Sequence, residues 1–81
     1  MFRTLVKTDE LAIDDQTYSV RYFEVRTLRG GRRYSAELLL GPDDRIILDD
    51  DSMTNLEAKT TRLVPATVYS RLLAGRAATA A

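Results

Sequence analysis

Residues 18–48 hold two long strand-like segments and a shorter one, joined at Gly30-Gly31 and Gly41-Pro42-Asp43-Asp44, and this pattern limits the fold more than any other feature. Adjacent glycines flanked by Arg29 and Arg32 suit a two-residue type I′ turn, whose central positions both need a positive φ that glycine adopts without a Cβ clash. Closing the hairpin there sets Val25 opposite Ala36, Glu24 opposite Glu37, Phe23 opposite Leu38 and Tyr22 opposite Leu39. Side chains alternate across a strand. Phe23, Val25, Tyr34, Ala36 and Leu38 are therefore expected on the core face, and Tyr22, Glu24, Arg26, Ser35, Glu37 and Leu39 on the other. In this register Tyr18 and Val20 have the parity of the polar face, so a β-bulge near Arg21-Tyr22 is expected to turn them inward.

Upstream, residues 1–8 have no clear periodicity and read either as an ordered arm or as a loosely docked tail. The alternation of Leu11 and Ile13, the polar Asp14-Asp15-Gln16 and the strand-like Thr17 to Val20 predict a first hairpin with aspartates at its tip. Downstream, Pro42 and the following aspartates predict a turn leading into a fourth strand over 45–49. A five-residue loop there places Ile46 and Leu48 on the core face and Ile47 outside beside Leu39, which buries two large side chains instead of one.

After Asp49-Asp50-Asp51 the apolar spacing becomes helical, through Met53, Leu56, Thr60, Leu63, Val64, Val68 and Leu72. Thr54-Asn55-Leu56-Glu57 has the form of a capping box, with Ser52 as an alternative cap, and the aspartates suit the positive end of the helix dipole. Pro65 removes one hydrogen bond and disfavours α geometry at Val64, so the helix is expected in two pieces, the second ending before Gly75 and leaving a frayed tail over 75–81. The predicted fold is α+β: one domain over 1–81, a four-stranded antiparallel meander with a kinked C-terminal helix packed on one face as a two-layer sandwich.

A hydrophobic fraction of 44% beside a charged fraction of 30% belongs to a folding chain, not a disordered one. With no histidine and no cysteine, the commonest general base, metal ligand and thiolate nucleophile are all missing, and the serines and threonines have nothing to activate them. No enzyme and no cofactor are expected. The aspartates at 43–44 and 49–51 lack the spacing of a calcium loop, and capping accounts for them, so no metal site is expected either. The short apolar runs and the acidic residues near the N-terminus predict neither membrane insertion nor export, and the compartment expected is the cytoplasm.

Basic and acidic residues number twelve each, but they are segregated: residues 16–36 carry net +4 and residues 37–51 net −5. Arg26, Arg29, Arg32 and Arg33 form a candidate phosphate-binding or nucleic-acid-binding hairpin, since guanidinium forks suit phosphate and a two-stranded ribbon enters a major groove. A meander returns Asp49, Asp50 and Asp51 to the same end, where they would partly cancel these arginines. Sheet-then-helix order, with Tyr34-Ser35-Ala36-Glu37-Leu38, is similar in topology to the DNA-binding domain of the plant ethylene-response factors. That family's basic sheet and tryptophans are absent, and no membership is read from the likeness.

A single helix leaves one sheet face uncovered. Tyr22, Leu39 and Ile47 are expected there as an apolar row bordered by Glu24, Arg26 and Glu37, and a contiguous apolar row marks an interaction surface. The sequence thus points to a protein-binding or self-association module, a homo-oligomer or a partner of another protein, with nucleic-acid binding as the alternative.

Overall fold

The computed structural model describes the backbone of residues 2–80 and the side chains of residues 2–74. Four strands, β1 (Phe2–Ile13), β2 (Gln16–Arg26), β3 (Arg32–Gly41) and β4 (Asp44–Asp50), form one antiparallel sheet in sequential order, followed by a single helix α1 (Met53–Ala80). This is the α+β meander with a helix on one face that the periodicity predicts. Residues 2–8 are strand, paired with β2 throughout apart from a bulge between Leu5 and Lys7.

The central hairpin differs from the expected register by three residues. Arg21 pairs with Glu37, Tyr22 with Ala36, Phe23 with Ser35 and Val20 with Leu38. The cause lies in the turn, where Gly30 has a φ of 78° and Gly31 does not share it, so the type I′ geometry with two left-handed residues is not formed. Instead Leu28, Arg29 and Gly30 make a three-residue loop with the left-handed position last, a standard hairpin alternative. The Thr27 amide donates to the Gly31 carbonyl at 2.9 Å and the Gly30 amide to the Thr27 carbonyl at 3.1 Å. Gly31 donates to Thr27 Oγ1 at 3.0 Å, and a Cβ at Gly31 would meet that oxygen at 2.9 Å.

An odd shift turns one strand over relative to its neighbour. Tyr18, Val20 and Tyr22 thus share the core face with Tyr34, Ala36 and Leu38, while Phe23 and Val25 go to the opposite face. No bulge is needed in β2, because its own alternation is regular once the register is right. On β4, Ile46 pairs with Leu38 and Leu48 with Ala36, so the predicted faces of Ile46, Ile47 and Leu48 hold. They are reached by a two-residue turn at Pro42-Asp43 with an irregularity beside Leu40, not by a five-residue loop.

Helix α1 covers the core face through Leu56, Thr60, Val64 and Val68, all buried and spaced four residues apart, with Met53 at the rim. Leu63 lies off this stripe and is exposed. Leu56, Val64 and Leu38 are the most completely enclosed side chains. Truncating Leu56 to alanine would cost about 3 kcal/mol in transfer and cavity terms. Buried Thr60 donates its hydroxyl to the Leu56 carbonyl at 2.8 Å, so it carries no unsatisfied polar atom into the core.

Three expectations about the helix are corrected. It continues through Pro65 without the predicted break and does not end before Gly75. Pro65 leaves the Thr61 carbonyl without its helical donor, but Val64 and Val68, on either side of it, are anchored in the core and hold the backbone helical. The cap is Ser52, not Thr54: Ser52 Oγ accepts from the Asn55 amide at 3.3 Å and its carbonyl from the Leu56 amide at 2.9 Å. The expected fraying of 75–81 falls outside the residues whose side chains are described.

Candidate interaction surface

The sheet face opposite the helix is open. By register it carries Arg3, Leu5, Thr8 and Glu10 on β1, Ser19, Arg21, Phe23 and Val25 on β2, Arg33, Ser35, Glu37 and Leu39 on β3, and Arg45, Ile47 and Asp49 on β4. Leu5, Leu39 and Ile47 each leave about half their surface in water, at 52%, 50% and 51% exposure. Leu39 and Ile47 sit on adjacent strands as predicted.

Tyr22 does not belong to this row. It is only 4% exposed, beneath the helix, with Lys7 Nζ 5.1 Å from its ring centroid. Glu24 is also misplaced by the expected register: it pairs with Tyr34 on the helix side, where it accepts from Arg26 Nε at 3.0 Å and lies 3.3 Å from Arg32 Nε. Phe23, Val25 and Leu5 take the places foreseen for Tyr22 and its neighbours.

At the centre of the face stands Glu37, 6% exposed. Arg3 Nη2 donates to its Oε2 at 2.7 Å and Arg21 Nη2 to its Oε1 at 2.9 Å. The Arg3 guanidinium also lies 3.6 Å from the Phe23 ring centroid, a cation–π contact that places one cation over both an aromatic face and a carboxylate. The Arg3 hydrogen bond, with the fields of Arg3, Arg21 and Arg45, outweighs the cost of burial and holds the Glu37 carboxyl below its ordinary value. Its cover is a layer of half-exposed arginine side chains, not apolar core, so water still screens the cluster.

The expected face-to-face pair of Glu24 and Glu37 is therefore absent, and so is its destabilising like-charge contact. That anomaly was the signal in the sequence that the register needed shifting: moving β3 by three residues replaces Glu24 by Arg21 opposite Glu37. Arg3 could not be foreseen, because residues 1–8 show no pattern that places them in the sheet.

The hairpin arginines are divided. Arg26 and Arg32 lie on the helix-side face and share Glu24, Arg33 lies on the open face with its Nε 3.4 Å from Asp51, and Arg29 is in the loop beside the fully exposed Leu28. The acidic run is likewise occupied. Asp50 accepts from the Ser52 amide at 3.0 Å and pairs with Lys59 at 3.1 Å, and both hold its carboxyl below the usual range, the amide more strongly. Lys59 also donates to the Asp49 carbonyl at 2.8 Å.

On the helix side, an open cleft of about 280 Å³ lies between the C-terminal half of α1 and the sheet, where Tyr18, Leu40, Val68 and Leu72 meet, and Arg71 and Asp44 pair at 3.1 Å on its rim. Among the described residues no three acidic side chains gather as metal ligands, and no helix is long and apolar enough to cross a membrane. Comparison of the chain with protein-family models, with curated proteins and with solved structures gives no match.

Proposed function

We propose that this chain is a small cytoplasmic, non-catalytic protein-interaction module whose docking surface is the open sheet face. The observation that carries this reading is the exposure of Leu5, Leu39 and Ile47 around a carboxylate, Glu37, whose bonding is already satisfied within the chain. Large apolar side chains held in strands are preorganised, so a partner covering them loses little conformational freedom of this chain on binding. Glu37 presents no unpaired charge to that partner, because Arg3 and Arg21 neutralise it in place. Nucleic-acid binding through Arg26, Arg29, Arg32 and Arg33 is the weaker reading: three of the four are in ion pairs and they do not share a face.

Leu39→Lys tests the reading. As a half-exposed residue Leu39 should accept the charge without loss of the fold, whereas a docking surface with lysine at its middle should lose about 1 kcal/mol or more of binding. Immobilised wild-type protein should retain a protein, its own chain or another, that Leu39→Lys of unchanged melting temperature does not. Identical retention by the two would defeat the proposal, and so would a Leu39→Lys variant that unfolds, since Leu39 would then belong to a core.

A further inference from the structure

Resting on that reading of the open face, we propose that its occupant is a second copy of this chain, packed sheet to sheet about a two-fold axis in the plane between them. The layout of charge argues for it. On β1, Arg3 lies towards the Gly30 end and Glu10 towards the other; on β4, Asp49 lies towards the Gly30 end and Arg45 towards the other. Signs alternate around the four corners of the face.

Such a pattern complements itself. A two-fold axis parallel to the strands lays β1 of one copy over β4 of the other with like ends together, which brings Arg3 to Asp49 and Glu10 to Arg45. An axis across the strands lays β1 over β1 with ends exchanged, which brings Arg3 to Glu10 and Asp49 to Arg45. Either way unlike charges meet at every corner, whereas a surface of one sign would meet repulsion at all of them. The face is also neutral as a whole, with Arg3, Arg21, Arg33 and Arg45 set against Glu10, Glu37, Asp49 and Asp51. Leu5, Phe23, Leu39 and Ile47 supply apolar contact between the corners.

The size of the face sets the strength. Four strands spaced about 4.8 Å apart, with β4 about 23 Å long, give roughly 400 Å² per copy. The two copies together fall below the roughly 1,200 Å² of stable complexes, so the dimer is weak and forms over the micromolar to millimolar range.

Sedimentation equilibrium of the full chain tests this. Wild-type mass should rise towards twice the chain mass between about 10 μM and 1 mM, a range matching weak association. Arg45→Glu should raise the dissociation constant at least fivefold, and a second reversal should restore it: Glu10→Arg if the axis runs along the strands, Asp49→Arg if it runs across them. A mass that stays monomeric throughout, an Arg45→Glu variant that associates like wild type, or rescue by neither second reversal would overturn the proposal. Purified protein that stays monomeric while capturing a different protein in a Leu39-dependent way would sink self-pairing and leave the docking surface standing. Insensitivity of both measurements to Leu39→Lys would remove the docking surface itself.

Discussion

Arg21 stands directly opposite Glu37 across the β2–β3 ladder and donates to its carboxylate at 2.9 Å, on a face that no other element among the described residues covers. With Arg3 on the other oxygen, the pair turns what would be a lone carboxylate in the middle of a sheet into the organising cluster of that face.

The first prediction concerns acid. The folded pKa of Glu37 lies below its unfolded value, so its contribution to stability is present above the unfolded pKa and is lost as pH falls through the folded one. Asp50, whose carboxyl is lowered by the Ser52 amide and by Lys59, acts in the same direction. Glu37→Gln should cost about 1 kcal/mol at pH 7, the upper range for screened ion pairs. Denaturation midpoints of wild type and variant should converge as pH falls below the ordinary glutamate range. A gap that stays constant down to pH 2 would show that the charge of Glu37 contributes nothing.

The two candidate caps separate cleanly. Ser52→Ala should destabilise the protein by about 1 kcal/mol, the usual cost of losing an N-cap. Thr54→Ala should stay near wild type, because Thr54 lies one turn position inside the helix and makes no capping bond. Urea denaturation of both decides, and a larger loss at Thr54 would reverse the assignment.

Pro65→Ala should stabilise. Proline inside a helix is unfavourable by about 3 kcal/mol relative to alanine, partly offset by its restriction of the unfolded chain. Alanine also restores a donor for the Thr61 carbonyl. Thermal melting should move up by several degrees, and a variant that melts lower would mean that the proline ring contributes packing on its half-buried side that outweighs the lost bond.

Nucleic-acid binding should be weak or absent. With Arg26 and Arg32 held by Glu24 and Arg33 by Asp51, few counterions would be released on binding phosphate. Wild-type protein should not retard duplex DNA or RNA even at low salt. Retardation that is abolished by Arg29→Glu with Arg32→Glu, and that falls steeply with salt, would revive the hairpin as a binding site.

Much of the architecture is local in origin and therefore readable from the chain. Alternation through residues 18–48 gave the strands, aspartates at 14–15 and Pro42-Asp43 marked two turns, and the change of period after Asp51 marked the helix start at Met53. The faces of Ile46, Ile47 and Leu48 followed from which register buries more apolar surface.

What the sequence by itself determined is the order and type of these elements, because hydrophobic periodicity and turn chemistry act over a few residues. The tertiary structure decided the rest. Whether Gly30-Gly31 closes a two- or a three-residue loop depends on pairing along the whole of β2 and β3, and that choice moved Tyr22 into the core and Phe23 out of it. Burial of Val64 and Val68 against the sheet overrode the local penalty of Pro65, since packing on both sides of one missing hydrogen bond outweighs it. Arg3 joined Glu37 only because β1 pairs with β2 as far as Phe2, a contact between residues 34 apart in the chain that no local pattern encodes.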